Sequence, residues 1–140
     1  MDRNIYDDQI LQWAARSDHR CTMEIPDGEA AATNPLCGDR VTIQVMLEGD
    51  RISRVCYQVR GCVLCKASCA QMAPLVAGFD YERLHGIREE FAQYLQGTTD
   101  DDQVCPQFRM FSPVRSHRSR YRCLLLPYDA ALKALAARDE

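Results

Sequence analysis

The chain lacks three things that would place it at a membrane or in an extended array. It has no charged start followed by an apolar h-region, no apolar run long enough to span a bilayer, and no low-complexity tract or repeat period. These absences set the expectation of a soluble, cytoplasmic protein with no membrane partner. Also missing are a phosphate-cradling glycine loop, an H-E-x-x-H pair and a G-x-S-x-G elbow, so nucleotide, zinc-protease and serine-hydrolase chemistry lose their usual signatures. The net charge of -3 and the 8% aromatic content argue against a general nucleic-acid binder. With 140 residues, 46% of them apolar, the chain suits one domain over 1–140 and is too short for two.

What it has in quantity is cysteine: eight of them. A reducing compartment makes a disulfide scaffold an unexpected use for these thiols, and metal, cluster or sulfur chemistry becomes the leading class. Several of the eight are expected to serve only as small buried apolar residues. Positive charge is concentrated at Arg109, Arg115, Arg118, Arg120 and Arg122, a stretch without an acid. Such a run is ordinarily a solvated face; beside a reactive cysteine it could also dock an acidic partner.

Apolar periodicity predicts a helix from Ile5 to Ala15, then mostly loop from Arg16 to Leu36 with a short strand around Ala30 to Thr33. The period then changes to two. Val41, Ile43, Val45 and Leu47 alternate with polar residues, and after the turn "EGDR" Val55, Tyr57 and Val59 share one face, which predicts an antiparallel hairpin. A small-residue helix begins near Cys62 and bends or stops around Pro74. Asp80 caps the next helix, which carries Leu84, Ile87, Phe91 and Leu95 and ends at Gly97. Residues 98–107 are expected to be a solvated loop, and a last helix lies within Cys123 to Ala137, its start blurred by Pro127. This order gives an α+β fold, a small antiparallel sheet of about three strands covered by helices.

The stretch "NPLCGDR", residues 34–40, places Cys37 and Asp39 on either side of Gly38. A thiolate and a carboxylate two residues apart can converge on one cation if the middle residue tolerates an unusual backbone angle. Cys37 precedes the hairpin and Cys62 follows it, so both come to one end of the sheet and, with Asp39, place three ligands together; a helix start stabilises the Cys62 thiolate. Cys123 could complete a tetrahedron from the far end of the chain, with Arg120 and Arg122 favouring its thiolate; spacing alone does not show that it reaches the other three.

These pieces resemble the U-type iron–sulfur cluster assembly scaffolds, the group of the NifU N-terminal domain, IscU and SufU. The resemblance rests on "NPLCGDR", on the hairpin ending in "GCVLCKAS" at 61–68, and on "RYRC" at 120–123 followed by an apolar helix. It implies a site of Cys37, Asp39, Cys62 and Cys123 holding iron, a [2Fe–2S] cluster or zinc. It implies as partners a cysteine desulfurase and apo iron–sulfur proteins, with the chain a monomer or weak homodimer. The carboxylate is then the exchangeable ligand that keeps the site labile.

IscU-type relatives carry a histidine before the last cysteine, where this chain has Arg122, which cannot ligate a metal. Together with the long interval between Cys62 and Cys123, this leans the resemblance towards the SufU branch, in which zinc occupies the site and a cysteine, most plausibly Cys123, carries persulfide. Cys65 and Cys69 extend Cys62 into C-x2-C-x3-C along one helical face. Packing against the sheet is the expectation for Cys69, and a resolving or relay thiol a minor alternative for Cys65. Cys21, Cys56 and Cys105 are expected to be non-ligands, as are His19 and His85; His117, six positions before Cys123, is expected on a docking surface, with replacement of the missing histidine as its alternative.

Overall fold

Three strands follow one another directly along the chain and pair in the same order. β1 (Gly28–Asn34), β2 (Asp39–Glu48) and β3 (Arg51–Arg60) form one antiparallel sheet. This is a computed structural model, and it describes residues 7–36, 38–100 and 103–137. In β2, Val41, Ile43 and Val45 are fully buried, and they pair with Val59, Tyr57 and Val55 of β3. On the other side they pair with Ala32, Ala30 and Gly28 of β1. Because side chains alternate across a strand, these three rows make one continuous inner face.

Helices cover that face. α1 (Asp8–Ala15) opens the described chain, capped by Asp7, whose carboxylate accepts from the Ile10 N–H at 3.0 Å. α2 (Val63–Leu75) is buried on almost every side, which its run of alanine, serine and cysteine permits, since small side chains let neighbours approach from all directions. α3 (Tyr81–Leu95) starts at the expected Asp80 cap, buries the expected Leu84, Ile87, Phe91 and Leu95, and ends before Gly97 at φ 83°. α4 (Tyr121–Ala137) lies across β1 and β2 and also packs against α2 and α3. Its contact with β1 is close: a Cβ added to Gly28 would stand 2.3 Å from the Ala134 carbonyl oxygen.

Four expectations need revision. Residues 16–36 hold more than a short strand, because β1 reaches from Gly28 to Asn34. Its sequence, GEAAATN, carries almost no β-branched signal, and it forms a strand because small residues are what α4 can pack upon. The preceding segment is a strap along the sheet. Tyr57 N–H donates to the His19 carbonyl, and Gln44 exchanges two hydrogen bonds with the Met23 backbone. A disulfide joins Cys21 of this strap to Cys56 of β3, so the two are non-ligands as expected but are used as the disulfide that the sequence did not lead one to expect. They lie 35 residues apart, and only the pairing of strap and β3 brings them together.

The third revision is Pro127, which lies inside α4 and does not delay it; the helix starts at Tyr121 and only the donor to the Cys123 carbonyl is lost. The fourth concerns the arginine-rich stretch. Within 3₁₀ turns over Pro106–Ser116, Phe108, Met110, Phe111, Pro113 and Val114 are buried, with Phe108 stacked on Phe91 at 4.1 Å. The arginines themselves keep to the surface as expected, with Arg109, Arg118 and Arg122 exposed; what the sequence did not indicate is the core beneath them.

Candidate metal centre

At one end of the inner face the apolar rows stop. Continuing the alternation by one step leads to Asn34 on β1 paired with Asp39 on β2, and beyond Val59 to Gly61. Asn34 and Asp39 are 2% and 3% exposed, polar groups set where the rest of the face carries valine and isoleucine. Gly61 has no room for a side chain, since a Cβ there would lie 2.7 Å from the Asp39 carboxylate. The chain then turns into α2, with Cys62 as its N-cap.

The two arms of the hairpin thus deliver Asp39 and Cys62 to one point, as the sequence suggests. Asp39 Oδ1 accepts from the Cys62 backbone N–H at 3.2 Å, and Oδ2 faces Cys62 Sγ at 3.4 Å. Cys123, in the first turn of α4, arrives from the far end of the chain and is fully buried. Ligand atoms of Asp39, Cys62 and Cys123 all lie within 4.8 Å of one another. The Asn34 side-chain amide points at Cys123 Sγ from 3.9 Å, a weak N–H···S contact. Cys37 lies outside the described residues. Its neighbour Gly38 has φ 75° with open space around it, so glycine is needed for the backbone angle and not for room.

Two helices, α2 and α4, begin at this group, and at the start of α2 the Cys65 N–H favours negative charge on the Cys62 sulfur. The Cys62 thiol is lowered to about 7, chiefly by its hydrogen bond with the Cys123 thiol and also by the Cys65 backbone N–H; burial and the Asp39 carboxylate oppose this. Cys65 moves the other way: the Cys69 thiol beside it, then burial, push its thiol far up. Arg122 is exposed although Cys123 next to it is buried. Asn34 looks in the sequence like a turn residue before proline; its burial and its contact with Cys123 Sγ are what mark it as part of the site.

Two soft sulfur ligands and one hard carboxylate, their ligand atoms within 4.8 Å of one another, are a donor set that suits iron or zinc. Residues 5–115 match the family model described as NifU-like N terminal domain. The chain belongs to the NifU-like N-terminal domain family. Cys123 lies beyond the matched segment, and it is the fold that brings α4 to it.

Among relatives of this NifU-like domain, the zinc-dependent sulfurtransferase SufU of Bacillus subtilis is 27% identical over 107 residues, covering 76% of this chain and 73% of that protein. The iron–sulfur cluster assembly scaffold protein IscU of Thermotoga maritima is 22% identical over 131 residues, covering 94% and 92%. The N-terminal NifU-like protein structure from Brucella abortus superposes with a TM-score of 0.86 at 25% identity, covering 96% of this chain and 94% of that one. A scaffold protein for the SUF system from Fervidobacterium islandicum gives 0.84 at 23%, covering 94% and 96%, and supports the same fold. The α+β sheet-and-helix architecture expected from the sequence is therefore the family's architecture. No helix of the described residues is long and apolar enough to cross a membrane.

Proposed function

We propose that this NifU-like domain is an iron–sulfur cluster assembly scaffold or carrier. In this reading it accepts sulfur from a cysteine desulfurase and holds iron or a [2Fe–2S] cluster on Cys37, Asp39, Cys62 and Cys123 before passing it to apo-proteins in the cytoplasm. The observation that carries the reading is the meeting of Asp39, Cys62 and Cys123 within 4.8 Å at two helix N-termini. The cluster is cargo, and the residues provide what cargo needs. Thiolates bind iron and exchange sulfur, the helix ends offset the negative charge of a thiolate-bound cluster, and the carboxylate is the ligand a soft centre releases first. A structural zinc module would have little use for that exchangeable carboxylate.

A second reading is favoured by Arg122 standing where IscU-type proteins have histidine, and by the likeness to a zinc-dependent sulfurtransferase. In it, zinc rests on the same residues and one of the cysteines carries persulfide.

Metal and acid-labile sulfide analysis of protein purified without oxygen or added metal separates the two. Iron with sulfide in the native chain, both lost in Cys123→Ser, supports the scaffold. About one zinc per chain without sulfide, the occupancy of a single tetrahedral site, moves the assignment to sulfur transfer. Asp39→Ala sharpens the result: a scaffold that uses its carboxylate for release should hold its cluster longer in the variant, whereas faster metal loss would count against that role.

A further inference from the structure

The proposed role leaves an electron balance open. Sulfur handed over as a persulfide is sulfane sulfur, formally zero-valent, while the bridging sulfur of a cluster is sulfide, so each sulfur needs two electrons. A pair of thiols able to close into a disulfide can supply them.

Such a pair stands behind the site. Cys62 is the half-buried N-cap of α2, open towards Asp39 and Cys123. Cys65, one turn further, is fully buried, and its backbone N–H is directed at the Cys62 sulfur. Residues three apart across a helical turn have Cα atoms about 5 Å apart, inside the range that a disulfide spans. The arrangement pairs a reachable first sulfur with a shielded second one, the division of labour expected of a C-x-x-C exchange motif at a helix start. Cys69, a turn beyond and also fully buried, is hydrogen-bonded to Cys65 and continues the line of sulfurs into the core.

We propose that Cys62 and Cys65 act as an internal dithiol that reduces sulfane sulfur delivered to Cys62 and releases it as sulfide beside Asp39 and Cys123. The proposal rests on the sulfur-accepting reading given above. In the step, Cys62 carries the extra sulfur as Sγ–SH. The Cys65 sulfur attacks Cys62 Sγ, the bond from Sγ to the outer sulfur breaks, and a Cys62–Cys65 disulfide forms. The outer sulfur leaves with the bonding electrons and takes up the Cys65 proton, departing as hydrogen sulfide. The sulfane sulfur gains two electrons and the two cysteine sulfurs lose them, so no other reductant enters this turnover. An external dithiol restores the pair by exchange. Cys65 needs no contact with solvent for this, because its target belongs to the residue one helical turn before it.

The test uses the full reduced chain, freed of small thiols under anaerobic conditions and given one equivalent of glutathione persulfide. Released sulfide is trapped and counted, and the tryptic fragment 61–66, which contains both cysteines and no other, is weighed. The native chain should release sulfide and show the fragment lighter by the two hydrogens of an internal disulfide. In Cys65→Ser, and in Cys65→Ala as a second variant should the first fold poorly, the fragment should retain the added sulfur on Cys62. Sulfide release should then fall by roughly tenfold or more, since an intramolecular thiol has an effective concentration that no encounter between dilute chains matches.

Sulfide release at the native rate from both Cys65 variants would overturn the dithiol. So would a native chain that holds persulfide without releasing sulfide, or one that closes Cys62 onto Cys123 instead; all three leave the sulfur-accepting reading intact. If neither Cys62 nor Cys123 of the variants takes up sulfur, that reading fails and the dithiol with it.

Discussion

The inner face of the sheet has a middle and an end, built by the same alternation and used in opposite ways. In the middle, Val41, Ile43 and Val45 meet Val59, Tyr57 and Val55 and are covered by helices. One step further, the same side carries Asn34 and Asp39, equally covered yet polar, and just past the end of β3 the bare Gly61. Burial of apolar surface contributes stability in the first region. In the second, burial of an amide and a carboxylate contributes little stability and can cost it, and its benefit lies in holding Asp39 against Cys62 and Cys123. A strand pattern that turns polar at its end while still facing inward is therefore a mark of chemistry.

Several substitutions sharpen this contrast. The largest stability loss should come from Ile43→Ala in the middle row, about 2–5 kcal/mol by denaturant unfolding, with metal bound per folded chain unchanged. If metal retention fell with it, the two regions would not be separable.

Gly28→Ala comes next. Its Cβ would meet the Ala134 backbone oxygen, which cannot swing aside, and the expected loss is about 1–3 kcal/mol of stability, again without a direct effect on the site.

Gly61→Ala should reverse the balance. Its new Cβ meets the Asp39 side chain, which can rotate away, so stability should fall less than in Gly28→Ala while metal affinity drops roughly 10–100-fold in chelator competition. Equal effects of the two glycine variants on metal would remove the distinction between middle and end.

The smallest change is expected at Tyr128, whose buried hydroxyl has no hydrogen-bond partner among the described residues. Burial pushes that hydroxyl well above its ordinary range. Tyr128→Phe removes an unsatisfied donor and should shift stability by less than about 1 kcal/mol, in the stabilising direction. A clear loss would point to a partner that the described residues do not include.

Much of this was legible in the chain. The change of period at Val41 marks the hairpin, and a hairpin must return Cys62 to the end where Asp39 began, so half of the candidate site follows from strand geometry. Asp80 and Gly97 bracket α3 because capping and left-handed backbone angles demand particular residue types. β1 was legible only in part, because its small residues answer to α4 and not to strand propensity. The Cys21–Cys56 disulfide had no local sign at all, since it depends on a strap lying beside β3.

The sequence by itself determined the alternating strands, the helix caps, and the neighbourhood of Asp39 and Cys62, all consequences of short-range backbone geometry. Tertiary structure alone decided that Cys123 joins them, that Asn34 stands beside it, and that Cys65 lies sealed behind Cys62. Those relations span up to 89 residues between Asn34 and Cys123, and no local propensity extends that far. They are settled by which helix can pack closely enough on a strand of glycine and alanine.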